Sequence, residues 1–121
     1  MSFAFDISRP VSDEQTRRRV ATNQVLLRRV NEAMRSYGVN EVVAFRCECG
    51  QLGCNQLIGL TRVEYNAMRA HPRRFAIVPA HEIVEIETIV ERHDRYAVVE
   101  AHDPAAAAVA EQTSPRQQGP D

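Results

Sequence analysis

The chain carries three cysteines, and all of them fall within eight residues, at positions 47, 49 and 54. No other feature restricts the fold as tightly. Crowded thiols in a reducing compartment point to metal or redox chemistry before structural disulfides, and an odd count leaves one thiol over in any purely disulfide scheme. The segment reads Phe45-Arg46-Cys47-Glu48-Cys49-Gly50-Gln51-Leu52-Gly53-Cys54. Side chains two apart on an extended strand point the same way, so Cys47 and Cys49 can face one ion. Sulfurs held about 2.3 Å from tetrahedral zinc lie nearly 4 Å from each other, which this spacing permits. Gly50 and Gly53 tolerate positive φ, so the backbone can turn sharply and bring Cys54 back to the same point. The expected motif is therefore a zinc knuckle.

The fourth ligand has to come from another segment. His81 suits the role best, because it follows the strand-like run Phe75 to Val78, which can return beside the cysteine turn, and Pro79 stiffens its approach. His71 at a helix end and His93 in a hairpin turn are geometrically open alternatives; His102 sits in a fraying end and suits the role least. The expected site is thus Cys47, Cys49, Cys54 and His81 around Zn2+, the usual tenant of a closed sulfur-rich site.

The remaining sequence is that of one small domain. Its 121 residues exclude an enzyme with separate cofactor and substrate halves, and 44% hydrophobic with 26% charged residues excludes global disorder. Ser12 with Gln15 reads as a capping box opening a long helix to about Tyr37, stopped by Gly38. Val20, Leu26, Leu27, Val30, Ala33, Met34 and Tyr37 fall within an arc of about 140° that should face the core, with Arg17, Arg18, Arg28, Arg29 and Arg35 opposite. After Gly38 the period shortens. Val42 to Phe45 and Leu57 to Leu60 read as strands entering and leaving the cysteine turn. Thr61 with Glu64 caps a short helix to about Ala70, ended by His71-Pro72. Phe75 to Val78 reads as a third strand. Ile83 to Glu91 and Tyr96 to Glu100 read as a hairpin around His93-Asp94-Arg95, its glutamates on a wet face. The expected architecture is α+β: a long N-terminal amphipathic helix on a small, mostly antiparallel sheet, with residues 1–11 an extended lead-in, 12–102 the zinc-binding domain and 103–121 a disordered tail.

Several of these residues together resemble a group of small bacterial proteins. The shared pattern is Phe45-x-Cys47-Glu48-Cys49-x4-Cys54, Leu60-Thr61-x2-Glu64-Tyr65, Pro72-x2-Phe75, Val78-Pro79-x-His81-Glu82 and Asp94-x-Tyr96-x-Val98-Val99-Glu100, over residues 41–100. The resemblance implies that the three cysteines and His81 belong together, and it implies no activity. A bacterial origin also fits the use of arginine for every basic residue.

The function classes then sort by chemistry. His81-Glu82-x-x-Glu85 lacks the second histidine of zinc peptidases and lies in a strand-like context. No phosphate-binding glycine loop or nucleophile elbow is present. The principal reading is a structural Cys3His zinc in a non-enzymatic protein with a protein-interaction or regulatory role. The runner-up is a redox-responsive thiol/zinc switch, with Arg46 favouring a thiolate. Third is a small zinc-dependent hydrolase with Glu82 as base. A protein partner or a second copy is expected. Nucleic acid through Arg17, Arg18, Arg28, Arg29 and Arg35 is weakened by a net charge of −1 and by the acidic residues from Glu82 to Asp103. No apolar run approaches the roughly 20 residues that cross a bilayer, and the first residues do not form a secretory signal, so a cytoplasmic protein is expected.

Overall fold

The change of period after the first helix is carried through into three dimensions. A computed structural model describes residues 14–34, 40–51 and 53–113. Helix α1 spans Glu14–Met34 and is followed by β1 (Val42–Arg46), β2 (Leu57–Thr61), α2 (Arg62–Arg69), β3 (Arg74–Ile77), β4 (Glu87–Arg92), β5 (Ala97–Ala101) and α3 (Pro104–Gln112). The chain is a mixed α+β fold, as its sequence leads one to expect. The lead-in over residues 1–11, the Ser12 cap and the stop at Gly38 lie outside the described residues.

The strands form two antiparallel sheets. β1 and β2 make a hairpin with Ala44 opposite Gly59. The second sheet has the order β3-β5-β4, and the register between β4 and β5 slips between Ile89 and Glu91. β5 is central and buried on both faces. Val98 packs with Phe45, Leu60, Tyr65, Met68 and Ala76, whereas Ala97 and Val99 pack with Phe75, Ile77, Cys47 and Cys49. The wet face expected for this hairpin is therefore absent from β5. Residues 83–86 are a turn rather than the start of a strand, and Glu87 is buried.

α2 follows its sequence signal. The Thr61 hydroxyl accepts from Glu64 N–H while the Glu64 carboxylate accepts from Thr61 N–H, closing the capping box. This sets Tyr65 against Phe45, rings stacked at 4.7 Å. Burying each such aromatic contributes about 1.5–3 kcal/mol.

α1 departs from expectation. Its inward face is Ala21, Gln24, Arg28 and Asn31, all fully buried, whereas Leu26 and Val30 are 51% and 48% exposed and Ala33 is exposed. Three residues of the apolar arc thus point outward, while Val20 packs beside Ala21 and Leu27 is half-buried. The inversion has a physical cause: each buried polar group has partners waiting. Arg28 donates to Pro72 O at 2.8 Å, Ala110 O at 3.0 Å and Thr113 Oγ1 at 3.0 Å, and lies 5.3 Å over the Phe75 ring. Arg28 is consequently no part of a solvated arginine face. Arg17 is paired with Asp103 at 2.9 Å and Arg18 with Glu14 at 3.1 Å; Arg29 is exposed, and Arg35 lies outside the described residues.

A further correction concerns the C-terminal segment. Where the sequence reading has a disordered tail from residue 103, Asp103 caps α3 by accepting from Ala106 N–H, with Pro104 in the first turn. Ala106 and Ala107 pack on Ala21, Ile83 and Ile86, small side chains that let α3 lie close to α1. Residues 114–121 lie outside the described residues.

Candidate metal centre

The chain past β1 stays extended beside two neighbours. Cys47 N–H donates to Gln56 O at 2.9 Å and Glu48 N–H to Ala76 O at 2.8 Å. Cys47 and Cys49 are both buried. The backbone then reverses through Gly50 (φ +78°) and Gly53 (φ +86°), the two positive-φ positions expected of the turn. Cys54 N–H closes it onto Gln51 O at 3.2 Å, leaving Cys54 half-buried.

His81 arrives from the end of β3 through a second turn. His81 N–H donates to Val78 O at 2.9 Å across Pro79 and Ala80, and Ala80 has φ +80°. Proline followed by a positive-φ residue fits a type II turn, in which alanine is less at ease than glycine. Gln51 Nε2 donates to His81 O at 3.1 Å, tying the two turns together.

The result is a group of four side chains, Cys47, Cys49, Cys54 and His81, whose ligand atoms all lie within 4.8 Å of one another. His81 Nδ1 is 3.6 Å from Cys47 Sγ and 3.6 Å from Cys54 Sγ. A tetrahedral ion with Zn–S of about 2.3 Å and Zn–N of about 2.0–2.1 Å sets its nitrogen and sulfur ligands roughly 3.5 Å apart, so the spacing fits. The group could hold a metal ion. Among the described residues no other set of three or more His, Cys, Asp or Glu meets this test. The alternative histidines are not members of the group: His93 meets Glu91 at 2.9 Å and stacks on Tyr96, His102 Nε2 faces Val84 O, and His71 is exposed just past α2. Glu82, the base of the hydrolase reading, is not a member of the group.

Electrostatics favour a cation here. The hydrogen bond with Cys49 pushes the Cys47 thiol down to about 5, helped by Val78 N–H and His81. Cys49, the other partner in that bond, is pushed up, and its burial adds to the effect. A divalent cation held between these thiols would favour the ionised form of both. Backbone N–H groups also face the sulfurs, from Val78 to Cys47 at 3.2 Å and from Gln51 to Cys49 at 3.5 Å. Such outer contacts orient thiolate ligands.

The sequence reading missed the residues that hold this turn in place. Glu48 is completely buried, and its carboxylate accepts from Asn31 Nδ2 at 2.8 Å, Ala76 N–H at 3.0 Å and Tyr65 OH at 3.2 Å, with Arg69 NH1 at 3.6 Å. Burial pushes this carboxyl up, against Arg69 and the donors. Arg69 in turn donates to Arg74 O and lies 5.4 Å over Phe75 on the same ring that Arg28 approaches. Asn31 also donates to Arg46 O and accepts from Arg46 N–H, both at 2.9 Å. Gln24 donates to Glu87 Oε1 at 2.8 Å, while Glu87 Oε2 accepts from Ile83 N–H at 2.8 Å. The one available signal was Glu48 lying between two cysteines that face the other way, which puts a carboxylate into the core.

Comparison of the chain with protein-family models, with curated proteins and with solved structures gave no match. No helix among the described residues is long and apolar enough to cross a membrane.

Proposed function

We propose that this chain is a small zinc-binding protein in which one Zn2+, held by Cys47, Cys49, Cys54 and His81, serves structure rather than catalysis. The observation that carries the reading is the closed donor set: three sulfurs and one imidazole nitrogen within 4.8 Å. Four protein ligands leave no open position for water or substrate, and closed sulfur-rich sites are the mark of structural zinc. The ion would cross-link the cysteine turn to the β3–β4 connection and supply part of the folding free energy that a small core lacks. Thiolate ligands of this kind suit the reducing cytoplasm. The outward stripe of Leu26 and Val30 supports a protein-interaction or regulatory role, since neighbouring exposed apolar side chains on one helix face suit a partner.

Elemental analysis of protein purified without added metal tests the reading: one zinc per chain is expected. A fully folded, metal-free chain that also fails to take up zinc contradicts it. A redox-responsive zinc switch is the second reading, favoured by the half-buried Cys54 and by the lowered Cys47 thiol. It expects dilute peroxide to convert two thiolates to a disulfide, with the peroxide reduced to water and zinc released.

A further inference from the structure

α1 is an unusual helix to find docked on a domain: beside the apolar contacts of Val20, Ala21 and Val25, much of its inward face is polar, with Gln24, Arg28 and Asn31 fully buried. Asn23, Gln24 and Asn31 place their side-chain hydrogen bonds on or beside the segments that carry the four candidate ligands. Asn23 Nδ2 donates to Gly50 O at 3.1 Å, one residue past Cys49. Asn31 bonds Arg46 and Glu48, the residues on either side of Cys47. Gln24 bonds Glu87, whose other oxygen holds Ile83 N–H, two residues past His81. The backbones also touch: a Cβ on Gly50 would stand 2.6 Å from Val20 O, so helix and turn meet at a distance only glycine allows.

From this we infer that α1 is a metal-conditional element: its docking reports whether the Cys3His site is filled, and metal loss releases the helix while the β3-β5-β4 sheet persists. The inference rests on the zinc reading above and deepens it to regulation of the same site. Without an ion, the turn after Glu48 is joined to the His81 segment by the Gln51–His81 hydrogen bond and by no covalent or coordinate link, so Gly50 is less firmly fixed relative to Glu87. α1 must match both at once, so a small shift between the turns costs its hydrogen bonds to both. The released face is cheap to hydrate, because Gln24, Arg28 and Asn31 recover hydrogen bonds from water. A helix buried through leucines would have no such exit. The sheet differs, since β5 is buried by apolar side chains on both faces.

Coupling of this kind is reciprocal: what metal does for α1 docking, docking does for metal affinity by the same factor. Hydrogen exchange on the full chain, read by mass spectrometry with zinc content measured on the same samples, tests it. In the zinc-loaded protein the amides of residues 20–32 are protected. After removal of zinc with a chelator they exchange at least about tenfold faster while those of Phe75–Ile77 and Ala97–Ala101 keep their protection, and added zinc restores the first set. Asn23→Ala, which touches no ligand, is expected to weaken zinc affinity by about threefold or more and to speed exchange in α1 by a similar factor. If zinc binds one per chain but its removal leaves α1 protected, or loosens helix and sheet alike, the inference fails and the zinc reading stands. An unchanged zinc affinity in Asn23→Ala with a loosened α1 also overturns it. If the chain takes up no zinc, both fall.

Discussion

Asn31 Nδ2 and Glu48 Oε2 meet at 2.8 Å with both side chains fully buried, and the same Asn31 amide group brackets the backbone of Arg46. The contact joins the one long helix to the residue that separates two cysteines of the candidate metal centre. Glu48 is therefore where helix, sheet and metal turn converge: Asn31 reaches it from α1, Tyr65 and Arg69 from α2, and Ala76 from β3.

Glu48→Ala leaves Arg69 without its buried counter-charge and strands the donors of Asn31, Tyr65 and Ala76. Removing one partner from a buried charge network costs about 3–5 kcal/mol. Glu48→Gln keeps the shape and one acceptor oxygen and is expected to lose less than half as much. Urea unfolding of both variants checks the ranking; equal losses would contradict it, because they would mean that the retained shape and acceptor oxygen contribute nothing and the charge carries the whole effect.

Arg28 acts as a cap for another helix. Its guanidinium holds Ala110 O and Thr113 Oγ1 at the C-terminal end of α3, where the macrodipole favours a cation. Burial, with help from Arg69, lowers its ordinary value to about 10, so it stays charged at neutral pH. Arg28→Met should cost about 2–4 kcal/mol, since it leaves buried carbonyls without a donor. Hydrogen exchange should show the end of α3, Val109 to Thr113, losing protection first; a loss below about 0.5 kcal/mol would contradict this role.

Glu87 makes stability depend on pH. Burial pushes its carboxyl up to about 7, with Glu82 adding to the effect and Ile83 N–H and Gln24 opposing it. The folded chain therefore keeps a proton that the unfolded chain gives up near the ordinary carboxyl value of 4.5. The stability this group contributes is complete below pH 4.5 and is lost as pH rises through 7, by about 3 kcal/mol in all. Glu87→Gln removes the titration and can still bond both Ile83 N–H and a turned Gln24 amide. The difference between wild type and variant should swing toward the variant between pH 5 and pH 8. Parallel profiles would contradict the assignment.

Ala80, with φ +80°, sits one residue before His81 in a region that costs alanine about 1–2 kcal/mol. Glycine there relieves this and costs about 0.5–1 kcal/mol in unfolded-state entropy. Ala80→Gly is thus expected to be neutral or stabilising by up to about 1 kcal/mol, and the β-branched Ala80→Val to lower both Tm and zinc affinity. A marked loss in Ala80→Gly would show that the turn is not strained.

Much of this centre can be read in the sequence because its chemistry is local. Two cysteines on one strand face and two glycines able to reverse the chain are visible in eight residues, and proline before His81 marks the returning turn. The capping box of α2 is legible for the same reason. The orientation of α1 is not, because periodicity ranks residues by hydropathy alone. Gln24, Arg28 and Asn31 are buried by partners 15 to 85 residues away in the chain, and no window along one helix contains that information. α3 stood within reach: Asp103-Pro104 before four alanines is a helix start, which the compositional reading of a tail passed over. The double-sided burial of β5 depends on which elements cover the sheet, a property of topology and not of strand pattern.

A structural Cys3His zinc is defined by how many atoms surround the ion and of which kind. X-ray absorption at the zinc edge of the purified protein measures this directly. It should show three sulfurs at about 2.3 Å and one nitrogen at about 2.0–2.1 Å, with the nitrogen signal lost in His81→Ala. A shell dominated by oxygen, fewer than three sulfurs, or a spectrum unchanged by His81→Ala would contradict it.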